Sequence, residues 1–191
     1  MRVEILSDQE VQIFLTHLDT YPNRDALMMR FMLQAGLRVG EVSGLDVGNV
    51  FHHGLVNQAI YLDKASTKSH RTRYVDMPAP LRSLVADYVK QLASQITPLG
   101  PDHPLFFSAR TKKRIGIRNI QLITAALSKK SLGRVIHPHV LRHTYATTLL
   151  KYTDIHSVQQ LLGHADISTT SIYLHTNSED LRRAINQAWT R

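Results

Sequence analysis

"HPHVLRHTYATTLL", residues 137–150, is the densest polar patch on an otherwise apolar helix. His139 and Arg142 stand three positions apart, so in a helix they project from one face and can meet the same small target. His143 lies four positions beyond His139. Such a histidine pair resembles half of a zinc site. The glutamate of an HExxH motif is missing, however, and no carboxylate cluster follows to complete a metal shell. Phosphate suits this face better than metal does.

Working outward, the flanking segments also read as helices. "RNIQLITAALSKK" precedes the stretch; "DIHSVQQLLG", "STTSIYLH" and "SEDLRRAINQAW" follow it. Asp154 is placed to cap "DIHSVQQLLG", and Gly163 to end it. At the other end, Ser7 and Glu10 form a capping box, with Leu6 and Val11 set as a hydrophobic staple. Val11, Phe14, Leu15 and Leu18 then mark one helical face. "RDALMMRFMLQAG" is a strongly apolar second helix that Gly36 can stop, and "RVGEVSGL" a short third. Pro80 opens a helix through "LRSLVADYVKQLASQI". Between them, "QAIYLD" (58–63) and "RTRYVDMP" (71–78) read as strands around a polar turn. A further short strand near "DVGNVF" would complete a three-stranded antiparallel meander. The expected fold class is α+β, mostly α, with a helical core and a small three-stranded antiparallel sheet.

The 191 residues suffice for one well-buried core. No apolar run of about 18 residues is present, so no membrane span is expected. The chain has no cysteine, which excludes disulfides, thiolate metal sites and a cysteine nucleophile, and fits a reducing cytoplasm. Lys and Arg number 23 against 15 Asp and Glu, a net charge of +8. That surplus favours polyanions, nucleic acid first, because such cations displace condensed counterions from phosphates. There are three separate basic clusters, "KSHRTR" (68–73), "RTKKRIGIR" (110–118) and "SKKSLGR" (128–134), a distribution that suggests one positive face rather than a disordered tail. Arg71, Arg73, Lys112, Lys113, Arg114 and Arg118 are the candidate DNA contacts.

Two further cationic positions carry chemical interest. Arg38 sits where one apolar helix ends and another begins; burial there is costly unless it is paired, and Glu41, three residues on, is placed to orient it. Lys68 lies in the turn between the strands, where a flexible ammonium can reach into a groove. "LLGHADISTTSIYLH" (161–175) adds His164 and, nine residues later, Tyr173. Packing would explain that tyrosine if it stood alone.

"GLRVGEVSGL", "TKSHRTRYVDMP", "HPHVLRHTYATTLL", "LLGH" and "STTSIYLH", in this order and spacing, resemble the catalytic domain of the tyrosine recombinase (phage integrase) family, from about Leu6 to Trp189. The resemblance implies that Arg38 and Arg142 are catalytic arginines and Glu41 a supporting acid. It makes Lys68 the hairpin lysine, with Lys64 as its competitor because Thr67 and Ser69 replace the usual flanking glycines. His139 and Arg142 form the HxxR pair, His164 takes the second His/Trp position, and Tyr173 is the nucleophile. The implied chemistry is cleavage and rejoining of double-stranded DNA through a 3′-phosphotyrosyl intermediate, with no metal or other cofactor. It also implies self-association into a tetrameric synapse. A tail carrying Leu181, Ile185 and Trp189 would dock on a neighbouring protomer or, equally, on its own core. Most relatives carry an N-terminal core-binding domain; residues 1–191 are read as the catalytic domain without it.

Two other readings compete. A helix-turn-helix regulator would also be basic, but would not need Arg38, Lys68 and Arg142 to converge with a tyrosine. A type IB topoisomerase uses similar chemistry, although the motif spacings here fit integrases better.

Overall fold

Ser7 opens α1 (Asp8–Asp19) with both halves of the capping box. Its hydroxyl accepts the Glu10 amide at 3.2 Å, while Glu10 accepts the Ser7 amide at 2.9 Å. Leu6 and Val11 are both buried, as a staple requires. The Leu6 amide also donates to Thr144 Oγ1 at 2.9 Å, fastening this entry to a distant helix. The computed structural model describes residues 4–21, 24–63, 72–108, 110–162 and 178–190.

Helix α2 (Arg24–Gln34) is buried from Ala26 to its end and forms the centre of the molecule. An apolar helix with no wet face must be covered on every side. Helices α5 (Ala79–Gln95), α6 (Ile117–Leu132) and α7 (Pro138–Leu149) pack against it, and α1 joins them. Gly133, with φ of 72°, closes α6, and Pro138 starts α7 at a position where its missing N–H costs nothing. Asp154 caps α8 (Ile155–Leu162) by accepting the His156 and Ser157 amides at 2.9 and 3.0 Å. The Ser157 hydroxyl and amide, with the His156 amide, hold the Asp154 carboxyl below its ordinary range.

The expected three-stranded sheet is replaced, among the described residues, by two separate antiparallel ladders. "DVGNV" supplies a helical turn, α4 (Val47–Val50), because Asn49 Oδ1 accepts the Asp46 amide at 2.6 Å. Strands β1 (Phe51–His52) and β2 (Leu55–Val56) then pair locally. His53 and Gly54 have φ of 47° and 82°. Positive φ at both positions of a two-residue turn matches the twist of a hairpin. The second ladder joins β3 (Ala59–Leu62) to β4 (Arg73–Asp76) in the register Ile60↔Val75 and Leu62↔Arg73. Ile60, Leu62 and Val75 are buried, whereas the Tyr61 and Tyr74 rings meet outside, tilted by 53° with centroids 5.4 Å apart. Strand alternation puts Arg73 in phase with Val75, on the core face.

Helix α9 (Ser178–Trp189) packs on the α7 of its own chain. Ile185 and Trp189 are buried and Leu181 partly so, and the Trp189 indole lies parallel to the Tyr145 ring at 6.3 Å. In this single chain the stripe docks on its own core. Among the described residues no helix is long and apolar enough to cross a membrane.

Candidate active site

The site is built on a corner. After α2 the chain turns at Gly36, whose φ is 64°. A Cβ there would come within 2.3 Å of the Tyr145 ring, so only glycine fits. Arg38 follows as the residue preceding α3 (Val39–Gly44). Its amide donates to Glu41 Oε2 at 2.7 Å and its Nη1 to Oε1 at 3.1 Å. Glu41 is only 2% exposed, which makes it an anion that has to be balanced by neighbours.

Arg38 does not balance it alone. Arg73 Nη2 straddles the carboxylate, 2.8 Å from each oxygen. Arg142 Nη1 stands 3.9 Å from Oε2. Residues 38, 73 and 142, from three different elements, therefore meet at one carboxylate. Burial would raise the Glu41 carboxyl, but the charge and hydrogen bonds of Arg73, the Arg38 amide and the charge of Arg142 outweigh it and hold the group below its ordinary value.

Arg142 is buried and donates to the carbonyls of Gly36 and Leu162, the latter at 2.7 Å. Arg73 Nη1 donates to the Leu161 carbonyl at 2.5 Å. Both arginines thus satisfy carbonyls at the end of α8, where a helix leaves its last acceptors unpaired. Desolvation, and then the charge of Arg38, bring the Arg142 guanidinium down to about 10. Three guanidiniums surround one carboxylate, leaving a local surplus of positive charge that a bound anion would relieve. His139 is exposed on α7, one turn before Arg142. Its ring and that of His143 have centroids 6.4 Å apart. Among the described residues no group of three or more His, Cys, Asp or Glu side chains is arranged to hold a metal.

Arg38, Glu41 and Arg142 come together, and His139 lies one turn before Arg142 on α7. Lys68, its competitor Lys64, Arg71, His164 and Tyr173 lie outside the described residues. Arg73, expected to face DNA, instead turns inward: its side chain is 11% exposed and both Nη atoms are bound within the chain. Strand phase pulled it to the core face, and Glu41 pairs it there. Arg114 is also engaged, with the Ser43 and Leu45 carbonyls and with Asp46 at 2.5 Å, but remains at the surface. Lys112, Lys113 and Arg118 are exposed. The carbonyls of Gly36, Leu161 and Leu162 were not legible as part of the site, because backbone acceptors carry no residue-type signal.

Comparison with known proteins places the chain in a family. The sequence matches the family described as "Phage integrase family" over residues 4–180. It is 31% identical over 175 residues to the tyrosine recombinase XerC of Pseudomonas syringae pv. tomato, covering 91% of this chain and 55% of that protein. The XerC of Listeria monocytogenes serovar 1/2a is 32% identical over 173 residues, covering 90% and 56%. The chain therefore spans little more than half the length of these relatives. The crystal structure of XerA recombinase aligns with a TM-score of 0.74 at 30% identity, covering 100% of this chain and 66% of that one. XerH recombinase bound to its difH substrate aligns with a TM-score of 0.68 at 24% identity, covering 95% and 53%, a likeness of fold alone.

Proposed function

Because this chain belongs to the phage integrase family, the tyrosine recombinases, we propose that it cleaves and rejoins double-stranded DNA as the catalytic part of a site-specific recombinase. The observation that carries this reading is the meeting of Arg38 and Arg142 at Glu41. Guanidinium forks suit the non-bridging oxygens of a phosphodiester, and fixed forks stabilise the charge gathered in a pentacoordinate transition state. In this mechanism Tyr173 Oη attacks the phosphorus as its proton leaves to a base such as His139. The bond from phosphorus to the 5′-oxygen breaks, and Lys68 protonates that oxygen. His139 and His164 add donors to the phosphoryl oxygens. The 3′-phosphotyrosyl product keeps the energy of the phosphodiester, so a second 5′-hydroxyl can displace the tyrosine and reseal the strand.

The partners in this reading are duplex DNA and further copies of the chain, assembled as a tetramer. Strand exchange needs two duplexes, and each must be cut on both strands. Helix α9 would link protomers only by leaving the Tyr145 face that it covers here. The exposed Lys112, Lys113 and Arg118 would contact phosphates outside the reacting linkage, and the compartment would be the cytoplasm.

The test is incubation with a suicide duplex that traps the cleaved state. The wild type should give a protein–DNA adduct resistant to denaturant, and Tyr173→Phe none. A protein that binds the duplex and yields no adduct would act as a regulator instead. One that yields adduct and relaxes supercoils, yet never joins strands of two duplexes, would act as a topoisomerase.

A further inference from the structure

We propose that Arg73 is a positioning residue for strand cleavage, acting through Glu41 and the end of α8 rather than by touching DNA. The inference deepens the reading given under Proposed function and rests on it. Arg73 Nη2 contacts both Glu41 oxygens at 2.8 Å, which fixes the plane of the carboxylate. Glu41 presents that plane to Arg38, through Oε1 to its Nη1 and through Oε2 to its amide. Arg73 thereby sets the acceptor that aims the more exposed guanidinium of the pair, Arg38, whose side chain is 21% open to solvent.

The second bond widens the role. Arg73 Nη1 holds the Leu161 carbonyl at 2.5 Å, beside the Leu162 carbonyl that Arg142 holds. His164 lies three residues beyond Leu161, and Lys68 five residues before Arg73. One guanidinium thus ties together β4, the carboxylate beneath the arginines and the end of α8.

Arg73 stabilises the Glu41 carboxylate, but its charge also has a cost. Its charge adds to that of Arg38 in opposing the protonated form of Arg142. Its Nε is buried and has no hydrogen-bond partner among the described residues. A third arginine in so crowded a site costs desolvation and repulsion. What it provides is geometry, and misplacing a reacting group by about 1 Å can cost about 100-fold in rate.

The experiment compares wild type, Arg73→Lys and the double variant Glu41→Gln/Arg73→Gln with Glu41→Gln alone, using the full chain. Three quantities are measured: affinity for an uncleavable duplex as a function of salt, the rate of adduct formation at saturating suicide duplex, and the thermal melt. Lysine keeps the charge but cannot span Glu41 and Leu161 together. For Arg73→Lys we expect DNA affinity within about threefold of wild type, an unchanged salt slope, and cleavage slower by about 100-fold. The double variant leaves no unbalanced carboxylate and should fold. Its cleavage defect should exceed that of Glu41→Gln, but by much less than the roughly 100-fold expected of Arg73→Lys, because the two substitutions share the Glu41 support and only the second frees the Leu161 carbonyl.

Cleavage by Arg73→Lys at the wild-type rate overturns the proposal. So does an affinity loss matching the rate loss with a salt slope reduced by about one, the signature of a phosphate contact. If Arg73→Lys does not fold, the double variant decides: a loss about 100-fold beyond that of Glu41→Gln, or no further loss at all, refutes the proposal, and a smaller further loss upholds it. A wild-type chain that binds duplex without forming adduct refutes strand transfer itself. In that case Arg73→Lys binding like wild type with a lowered melt still marks a support of the site, and a changed salt slope marks a DNA contact.

Discussion

Around Glu41, three guanidiniums are packed until Arg73 and Arg142 are nearly closed to solvent, whereas Lys112, Lys113 and Arg118 of the segment 110–118 stand in water. Charge of the same sign has different consequences in the two places. At the surface it is screened within about 10 Å at moderate salt, so it can attract a duplex but cannot aim at one atom. In the buried cluster each guanidinium is held by a named acceptor: Arg38 and Arg73 by Glu41, Arg142 by the Gly36 and Leu162 carbonyls. Fixed donors of this kind favour a charge that develops at one point. Net charge marks where a polyanion can be drawn, while pairing marks where a charge can be fixed.

The largest way to break this contrast is Glu41→Gln. Removing the buried partner of three arginines should cost about 3–5 kcal/mol in a urea titration, and a loss below about 1 kcal/mol would mean that the cluster is screened like a surface pair. The gap between Glu41→Gln and wild type should also depend on pH. The Glu41 carboxyl is held below its ordinary value of 4.5, so its contribution is fully present above that value and disappears as pH falls through the lowered one. Melts recorded from pH 7 downward should converge in acid.

Next in size are Arg38→Ala and Arg142→Ala, each expected to slow adduct formation by about 10²–10³ at saturating duplex. Lys113→Ala and Arg118→Ala should do the reverse. Affinity should fall only a few-fold and the salt slope by about one per residue, with the saturated cleavage rate unchanged. The smallest effect belongs to Lys151→Ala, which removes an exposed pair with Asp8 at 2.6 Å. Thermal or urea unfolding should register about 1 kcal/mol or less.

Local chemistry explains how much was legible in the sequence. The α1 capping box and the Asp154 cap each depend on residues a few positions apart, so their geometry could be read directly. Arg38 and Glu41 were legible for the same reason, and Arg142 because its helix places it beside His139. The separate ladders were not, since His53 is an unusual residue for a positive φ and its hairpin has only two residues per strand. Arg73 was misread because "KSHRTR" looks like a uniform basic run. Its signal was two positions away: Val75, buried in the same strand, shares its face. Its pairing with Glu41, 32 positions earlier, is a tertiary fact that no local pattern encodes.

The central claim is that Arg38 and Arg142 act on the charge of a single backbone linkage, and a neutral linkage tests it most directly. Replacing the scissile phosphate with a methylphosphonate removes one charged oxygen while keeping the sugar and base contacts. Adduct formation by wild type, Arg38→Ala and Arg142→Ala should then be compared on both substrates. The account predicts that the penalty for losing either arginine, about 10²–10³ on the ordinary linkage, shrinks to about tenfold or less on the neutral one. An equal penalty on both linkages would contradict it.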